Sequence, residues 1–321
     1  MKHYLQLIRL PNLLIMALTM VLIRYCIIQP IFTNYYINLE LPLTLFVILV
    51  LVVAMIAAAG YMINDYFDVK TDLVNRPDKV VIGKYVKAST VYRSYFIING
   101  IALLLSFYVS FRIGITSMTF LFPLVMGILW FYSTTYKRQL VTGNILVSLL
   151  IAGVPILVAL YEMPLIHAKY AQFPIAFKML LKIIFGWCGA YAIFAFIVNL
   201  IREFVKDMED FEGDMAYGRR TLPIVFGLKT TKIVVAGLIF LTIVLIELVF
   251  LKLLEPNKLD LITFMYFHVL LILPLFVALI LMFMANRKSH YTALSLIIKL
   301  VMVLGILYSI VVRLKLLGHI A

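Results

Sequence analysis

A hydrocarbon layer about 30 Å thick takes roughly 20 consecutive apolar residues to cross as a helix, and runs of that length recur along almost the whole chain. They lie at approximately 12–30, 43–64, 91–111, 115–135, 141–161, 178–201, 233–254, 261–285 and 292–317. Charged residues make up only 13% of the 321 positions against 64% hydrophobic ones. A soluble domain carries about a quarter charged residues, so no water-facing surface can be assembled from this inventory. The expected fold class is all-α: a polytopic membrane protein with about nine transmembrane helices in one bundle, residues 1–321 forming a single integral membrane domain. The apolar run from Leu13 to Ile23 follows Arg9 in the manner of a signal peptide. Many similar runs follow and no small-residue cleavage pattern is clear, so it reads as the first span.

The formal net charge of +13 does not point to nucleic acid, because the basic residues fall between apolar runs and not on one soluble face. That placement suits anionic headgroups and phosphate-bearing substrates. With the N-terminus inside, the inner segments collect Lys2 and Arg9, then Lys70, Arg76, Lys79, Lys84, Lys87 and Arg93. They further collect Lys137 and Arg138, then Arg202, Lys206, Arg219, Arg220, Lys229 and Lys232, and finally Arg287 and Lys288. The outer ends hold Arg112, Lys169, Lys178, Lys182, Lys252, Lys258, Arg313 and Lys315, while Arg24 and Lys299 fall within spans. The inner excess predicts a cytoplasmic N-terminus and, with an odd span number, a C-terminus outside. Cys26 and Cys188 lie in apolar surroundings and form no disulfide framework or metal-type spacing.

Two polar intervals, about 65–90 and 202–232, stand out on the predicted inner face. In the first, Asn64, Asp68 and Asp72 are spaced i, i+4, i+8, with Asp65 and Asp72 at i, i+7. If the second span continues as a helix, these oxygens share one face. Like charges at that spacing repel, and hard oxygen donors suit Mg²⁺, which binds one or two carboxylates together with substrate phosphates. A frayed, solvated helix end is the competing reading. It is disfavoured because three of only 15 acidic residues fall within these eight positions. In the second interval Arg202, Lys206, Asp210 and Asp214 run i, i+4, i+8, i+12, flanked by Glu203 and Asp207. Alone, such mixed charge describes a solvated helix face as well as it describes a site. Paired with the first cluster in a chain poor in acids, it points to two Mg²⁺ ions bridging one diphosphate. Each interval also ends in a Gly-Lys neighbourhood, Gly83-Lys84 and Gly227-Leu228-Lys229, a faint internal repeat.

The segment Asn64-Asp65-x-x-Asp68-x-x-x-Asp72, followed by Asn75-Arg76-Pro77, resembles the first motif of the UbiA-type intramembrane prenyltransferases. Asp210-Phe-Glu-Gly-Asp214, followed by Gly218 to Pro223 and Gly227, resembles their second motif. Tyr132-Ser133, Lys137-Arg138 and Gly143-Asn144 also resemble the family pattern. The resemblance implies a helical bundle around a cavity open to lipid, with a polar cap on the cytoplasmic side of a cell or inner membrane. It implies that Asn64, Asp68 and Asp72 bind one Mg²⁺, that Asp210 and Asp214 bind another, and that Asp65 and Asp207 are additional candidates. Arg76, Lys79, Lys137, Arg138, Arg202, Lys206 and Arg219 become candidates for holding phosphate oxygens, although topology signalling alone accounts for about half of such basic residues. Tyr61, Phe131, Tyr132, Tyr191 and Phe194 are aromatic faces near the expected pocket.

The expected donor is a polyprenyl diphosphate, with geranylgeranyl diphosphate favoured. The Lys206–Asp214 stretch and Arg-Thr-Leu-Pro most resemble the branch that prenylates geranylgeranylglyceryl phosphate. One departure is local: after Pro77 the chain reads Asp78-Lys-Val-Val-Ile-Gly83, where many relatives carry a second Arg-Pro and a Ser-Gly turn. An aromatic acceptor, as in quinone biosynthesis, is the alternative within enzymes. An ion-coupled transporter is the alternative outside them, and it predicts acids nearer the bilayer middle. His167, His268 and His290 read as packing or interfacial residues, and Pro123, Pro155 and Pro274 as kinks. Glu247 lies within a span without an evident partner.

Overall fold

The computed structural model describes residues 2–170, 172, 174–253 and 260–318, with the side chains of 174–176 and 253 left aside. The expected outer-end Lys258 lies outside the described residues. Among the described residues nine helices are long and apolar enough to span a membrane: α1 Leu10–Asn34, α2 Leu43–Asn75, α3 Ala88–Arg112, α4 Thr116–Thr134, α5 Thr142–Tyr170, α6 Phe177–Glu209, α7 Leu222–Lys252, α8 Leu261–Met284 and α9 Lys288–Leu316. The described residues contain no β-strand, only one isolated bridge between Ile82 and Val86. Each helix coincides with one apolar run of the sequence.

The ends differ where it matters for function. α2 runs to Asn75 and α6 to Glu209, beyond the apolar runs that end near 64 and 201. Hydropathy registers the lipid-facing length only. These helices continue because their polar residues find partners across the bundle. α7 begins earlier than its apolar run, at Leu222, and is broken at Gly227, whose φ of 82° only glycine adopts readily. Gly83 has φ 86° in the corresponding place before α3, so the two Gly-Lys neighbourhoods share a local conformation.

Proline acts through π-turns in two spans. Pro274 follows the π-helical segment Tyr266–Ile272, and Pro30 follows Ile23–Ile28. A proline ring clashes with the carbonyl four residues back, and the wider π-turn relieves that clash. Pro123 sits at the start of the α-helical part of α4, where no kink is needed. Pro155 lies inside α5.

α6 is the hub of the bundle, packing against α5, α7 and α9, while α2 packs on α3 and α4. One continuous apolar core joins these helices. A smaller cluster of Leu7, Met62, Val81, Ile82, Val86 and Val91 seats the loop after α2 against α2 and α3. The Val80-Val81-Ile82 departure is thus a buried plug beside the polar end. At the opposite end a fully buried pair, Arg24 on α1 and Glu162 on α5, closes the loop between α1 and α2. Glu162 accepts from the backbone N–H groups of Glu40 and Leu41, and Arg24 donates to the Leu41 carbonyl. Glu247 also has a partner, His268 Nε2 at 3.3 Å, so that histidine does more than pack.

Candidate active site

Helical spacing on α2 does what the sequence predicts: Asn64, Asp68 and Asp72 line one cavity of about 810 Å³. Facing them, the end of α6 and the short helix Phe211–Ala216 supply Asp207, Asp210 and Asp214 to the same wall. Two glycines allow this approach. A Cβ at Gly213 would lie 2.4 Å from the Asn75 amide nitrogen, and one at Gly143 would lie 2.8 Å from Lys137 Cα. Gly213 therefore lets the second motif close on the first. Gly143 lets the 3₁₀ turn Tyr136–Arg138 fold onto the first turn of α5.

Cations interleave the acids. Lys137 Nζ donates to Asp68 Oδ1 at 2.7 Å and to Asn64 Oδ1 at 3.2 Å. Arg219 bridges the motifs: one nitrogen donates to Asp68 and, at 3.1 Å, to Thr71 Oγ1, while the other reaches Asp214 Oδ1 at 3.1 Å. Arg76 Nη2 lies 2.9 Å from both oxygens of Asp210 and 3.4 Å from Glu209. Each motif's arginine is thus bound to the other motif's aspartate. Asn75 Oδ1 accepts from the Gly213 N–H at 2.9 Å, and Lys288 donates to the Asn75 carbonyl.

Burial dominates the protonation of these groups. It lifts the Asp214 carboxyl to about 7, with Arg219 opposing the rise and Asp210 and Asp68 adding to it. Asp210 is also raised, first by burial and against the pull of Arg76. Lys137 is lowered by burial despite the attraction of Asp68. Burial also works against the Arg76 and Arg219 charges, but the neighbouring carboxylates outweigh it and hold both guanidinium groups above their ordinary values.

The sequence candidates do not all behave alike. Asn64, Asp65, Asp68, Asp72, Arg76, Lys79, Lys137, Arg202, Lys206, Asp207, Asp210, Asp214 and Arg219 all line the cavity. Arg138 does not: the 3₁₀ turn sends Lys137 inward and leaves Arg138 exposed, its carbonyl accepting from the Arg220 N–H. Asp65 faces the flank of the cluster, where Arg9 Nη2 holds it at 2.7 Å. Asp207 accepts from Asn144 Nδ2 at 2.8 Å. Phe131 is exposed, whereas Tyr61, Tyr132, Tyr191 and Phe194 line the cavity.

Among the described residues no group of three or more His, Cys, Asp or Glu is gathered closely enough to cage a metal. The donor set still fits Mg²⁺, which keeps waters and needs only one or two carboxylates alongside substrate phosphates. Its donors are aspartate and amide oxygens on two facing elements, with no sulfur among them. Asp72 adds a carboxylate on the cavity wall with no cation within ion-pair distance among the described residues.

The model of the UbiA prenyltransferase family matches residues 30–315. This chain belongs to that family. Over 208 residues it is 36% identical to the digeranylgeranylglyceryl phosphate synthase of Pyrococcus horikoshii, covering 63% of this chain and 64% of that protein. It is 33% identical over 201 residues to the synthase of Thermococcus kodakarensis, covering 62% of each. The match thus spans just under two thirds of these curated relatives. Among solved structures, one from work on digeranylgeranylglyceryl phosphate synthase in membranes superposes with a TM-score of 0.62 at 22% identity, covering 98% of both chains. A UbiA homolog from Archaeoglobus fulgidus bound to GPP and Mg²⁺ gives 0.56 at 16% identity, covering 96% of this chain and 99% of that one. These superpositions show that the UbiA fold extends over nearly the whole chain.

Several cavity residues of this UbiA-family chain lie outside the site candidates read from the sequence. Arg9 and Asn12 precede or open the first span, Asn144 and Asn199 lie on α5 and α6, Glu203 sits one turn before Asp207, and Lys299 is on α9. Lys299 carried a signal, since a lysine inside a span is functional by default. Asn144 and Glu203 stand beside motif residues in the sequence, whereas Arg9, Asn12 and Asn199 join the site only through tertiary contacts.

Proposed function

We propose that the chain, acting as one integral membrane domain, transfers a prenyl group from a polyprenyl diphosphate to geranylgeranylglyceryl phosphate and so forms an ether bond. The observation that carries this reading is the convergence of two acidic motifs and their bridging cations at one end of a cavity. Much of the remaining wall is apolar, with Val125, Leu150, Leu157 and Ile306 on it. A diphosphate fits the first region and an isoprenoid tail the second.

In this reading Asn64, Asp68 and Asp72 hold one Mg²⁺, and Asp210 and Asp214, with Asp207 beside them, hold a second. The metal supplies charge neutralisation that makes diphosphate a better leaving group. Lys137 and Arg219 turn from carboxylate to phosphate oxygens and meet the charge that develops as the allylic C–O bond breaks. Tyr61 and Tyr132 offer ring faces to the allylic cation, an interaction of up to about 2 kcal/mol when desolvated. The acceptor hydroxyl oxygen bonds to the allylic carbon, the bonding pair of the broken C–O bond leaves with diphosphate, and diphosphate takes the hydroxyl proton.

Geranylgeranyl diphosphate is the favoured donor, supported by the names of the curated relatives. The basic loops on the motif side support a cytoplasmic position for that end of the bundle and the N-terminus. The test is purified protein with radiolabelled geranylgeranyl diphosphate, Mg²⁺ and, separately, geranylgeranylglyceryl phosphate or an aromatic acceptor. Metal-dependent product with the glyceryl phosphate supports the assignment. Product only with the aromatic acceptor replaces the acceptor and keeps the chemistry.

A further inference from the structure

The polar residues of the cavity divide by charge. Around Asp68, Asp72, Asp207, Asp210 and Asp214 carboxylates outnumber cations. On the flank facing α1, α6 and α9 the balance reverses: among the described residues Arg9, Arg202, Lys206 and Lys299 have only Asp65 and Glu203 within ion-pair distance. Arg9 is held by Asp65 at 2.7 Å, and Glu203 is shared between Arg202 at 3.3 Å and Lys206 at 3.9 Å. Four cations stand against two carboxylates there, with Asp210, one turn beyond Lys206, drawing on that lysine from the motif side, so the flank keeps a positive surplus.

Lys299 is the most informative of the four. It lies about three turns into α9, a helix that carries neither acidic motif, yet it lines the cavity. Its Nζ donates to Asn12 Oδ1 at 2.8 Å, and Asn12 Nδ2 donates to Tyr61 Oη at 3.3 Å. Tyr61 stands one turn before Asp65 on α2, with the Arg9 guanidinium over its ring at 4.9 Å. This relay fixes the ammonium beside the motif helix without neutralising it. Arg202 adds a second device, for its Nε is buried with no hydrogen-bond partner. A lysine deep in an apolar span and an orphaned guanidinium donor on one cavity wall are costly unless an anion answers them.

We infer that Lys299 and Arg202, oriented by Asn12 and Glu203, form a second anion subsite that takes the phosphate monoester of the acceptor. The inference rests on the functional reading above and adds the residues that select a phosphorylated acceptor. An anion matches the surplus positive charge. Glyceryl phosphate places its free hydroxyl one carbon from the phosphoester carbon, so its anion site must adjoin the diphosphate site, as this flank does. The site needs no metal of its own.

The test compares wild type, Lys299→Met and Lys299→Arg in detergent with Mg²⁺ and geranylgeranyl diphosphate. Geranylgeranylglyceryl phosphate and its dephosphorylated form, geranylgeranylglycerol, serve as acceptors. Losing one charge-assisted contact is expected to raise the KM of the phosphorylated acceptor about tenfold or more. The KM of the donor should stay within about twofold, a split that marks loss of acceptor binding alone. Preference for the phosphorylated acceptor should fall by the same factor in Lys299→Met and be largely recovered in Lys299→Arg. Donor and acceptor constants moving together, or an unchanged preference, would overturn the subsite. If wild type turns over neither acceptor, the functional reading fails and calorimetric binding of geranylgeranylglyceryl phosphate decides the subsite. Saturable binding lost in Lys299→Met and kept in Lys299→Arg supports it, and any other pattern overturns it.

Discussion

Gly213 is the point where the two acidic motifs touch, and replacing it with alanine tests whether their contact builds the site. The added Cβ would lie 2.4 Å from Nδ2, 2.5 Å from Cγ and 2.5 Å from Oδ1 of Asn75. The whole amide, not just its tip, must leave. Two costs follow. Overpacking a well-filled site costs about 1–3 kcal/mol, and displacing Asn75 strips the buried Gly213 N–H of its acceptor at 2.9 Å, costing about 1–3 kcal/mol. Gly213→Ala should therefore destabilise by about 2–6 kcal/mol, while Asn75→Ala, which removes the acceptor without a clash, should cost only the second sum. In the double variant the alanine methyl group at 213 occupies space vacated by the amide. Its cost should match that of Asn75→Ala alone, giving a coupling as large as the cost of Gly213→Ala itself, at least about 2 kcal/mol. Denaturant-induced unfolding of the purified protein measures all four corners of the cycle. Prenyl transfer by Gly213→Ala should fall about 100-fold, because Asp210 and Asp214 shift relative to α2. Strictly additive destabilisation, or wild-type stability in Gly213→Ala, would refute the claim that this close approach positions the motifs.

Other outcomes follow from the same contacts. Asp68→Asn and Asp214→Asn should each lower prenyl transfer by about 100-fold or more while the protein stays folded, and EDTA should abolish transfer until Mg²⁺ is returned; full activity in EDTA would remove the metal from the mechanism. Glu162→Leu breaks the buried pair with Arg24 and should cost about 3–5 kcal/mol, whereas Glu162→Gln keeps an acceptor for the Glu40 and Leu41 N–H groups and should cost less. The donor KM should not move in either variant, since neither Arg24 nor Glu162 lines the cavity. For topology, Cys26 and Cys188 are buried, so Lys84→Cys should react with an impermeant thiol reagent only from the cytoplasmic side and Lys178→Cys only from the other. The reverse pattern would invert the orientation.

The spans were legible because hydrocarbon thickness imposes a length that hydropathy reads directly. Their ends were less so. α2 continues past 64 because Asp68 is held by Lys137 and Arg219, residues 69 and 151 positions away, and no local pattern contains those partners. The stripe Asn64, Asp68, Asp72 was legible from the 3.6-residue period, which puts all three on one wall. The choice between Lys137 and Arg138 was not: adjacent cations differ only in which way a 3₁₀ turn points them. Arg9 and Asn12 were hidden for another reason. They look like the flank and first turn of an ordinary span until α1 packs against α2 and brings them to Tyr61 and Asp65.

The exchange of partners between the motifs explains why acids and bases are interleaved here. Five aspartates on one cavity wall would repel and splay α2 from the end of α6. Arg219 binds Asp68 on one motif and Asp214 on the other, and Arg76 from the first motif binds Asp210 of the second. The cations thus hold the two motifs together across the cleft. Guanidinium suits this double use, because its planar fork can span two carboxylates and later two phosphate oxygens without changing charge. Lysine 137 serves differently, as a single compact charge placed on Asp68 and Asn64 together. On the proposed function, selectivity for a diphosphate headgroup would come from exchange: a ligand must offer these cations oxygens at least as good as the carboxylates it displaces, and its bound metal must satisfy the carboxylates in return. An uncharged headgroup meets neither condition and a metal-free diphosphate only the first, so the exchange is complete only when phosphate and metal enter together.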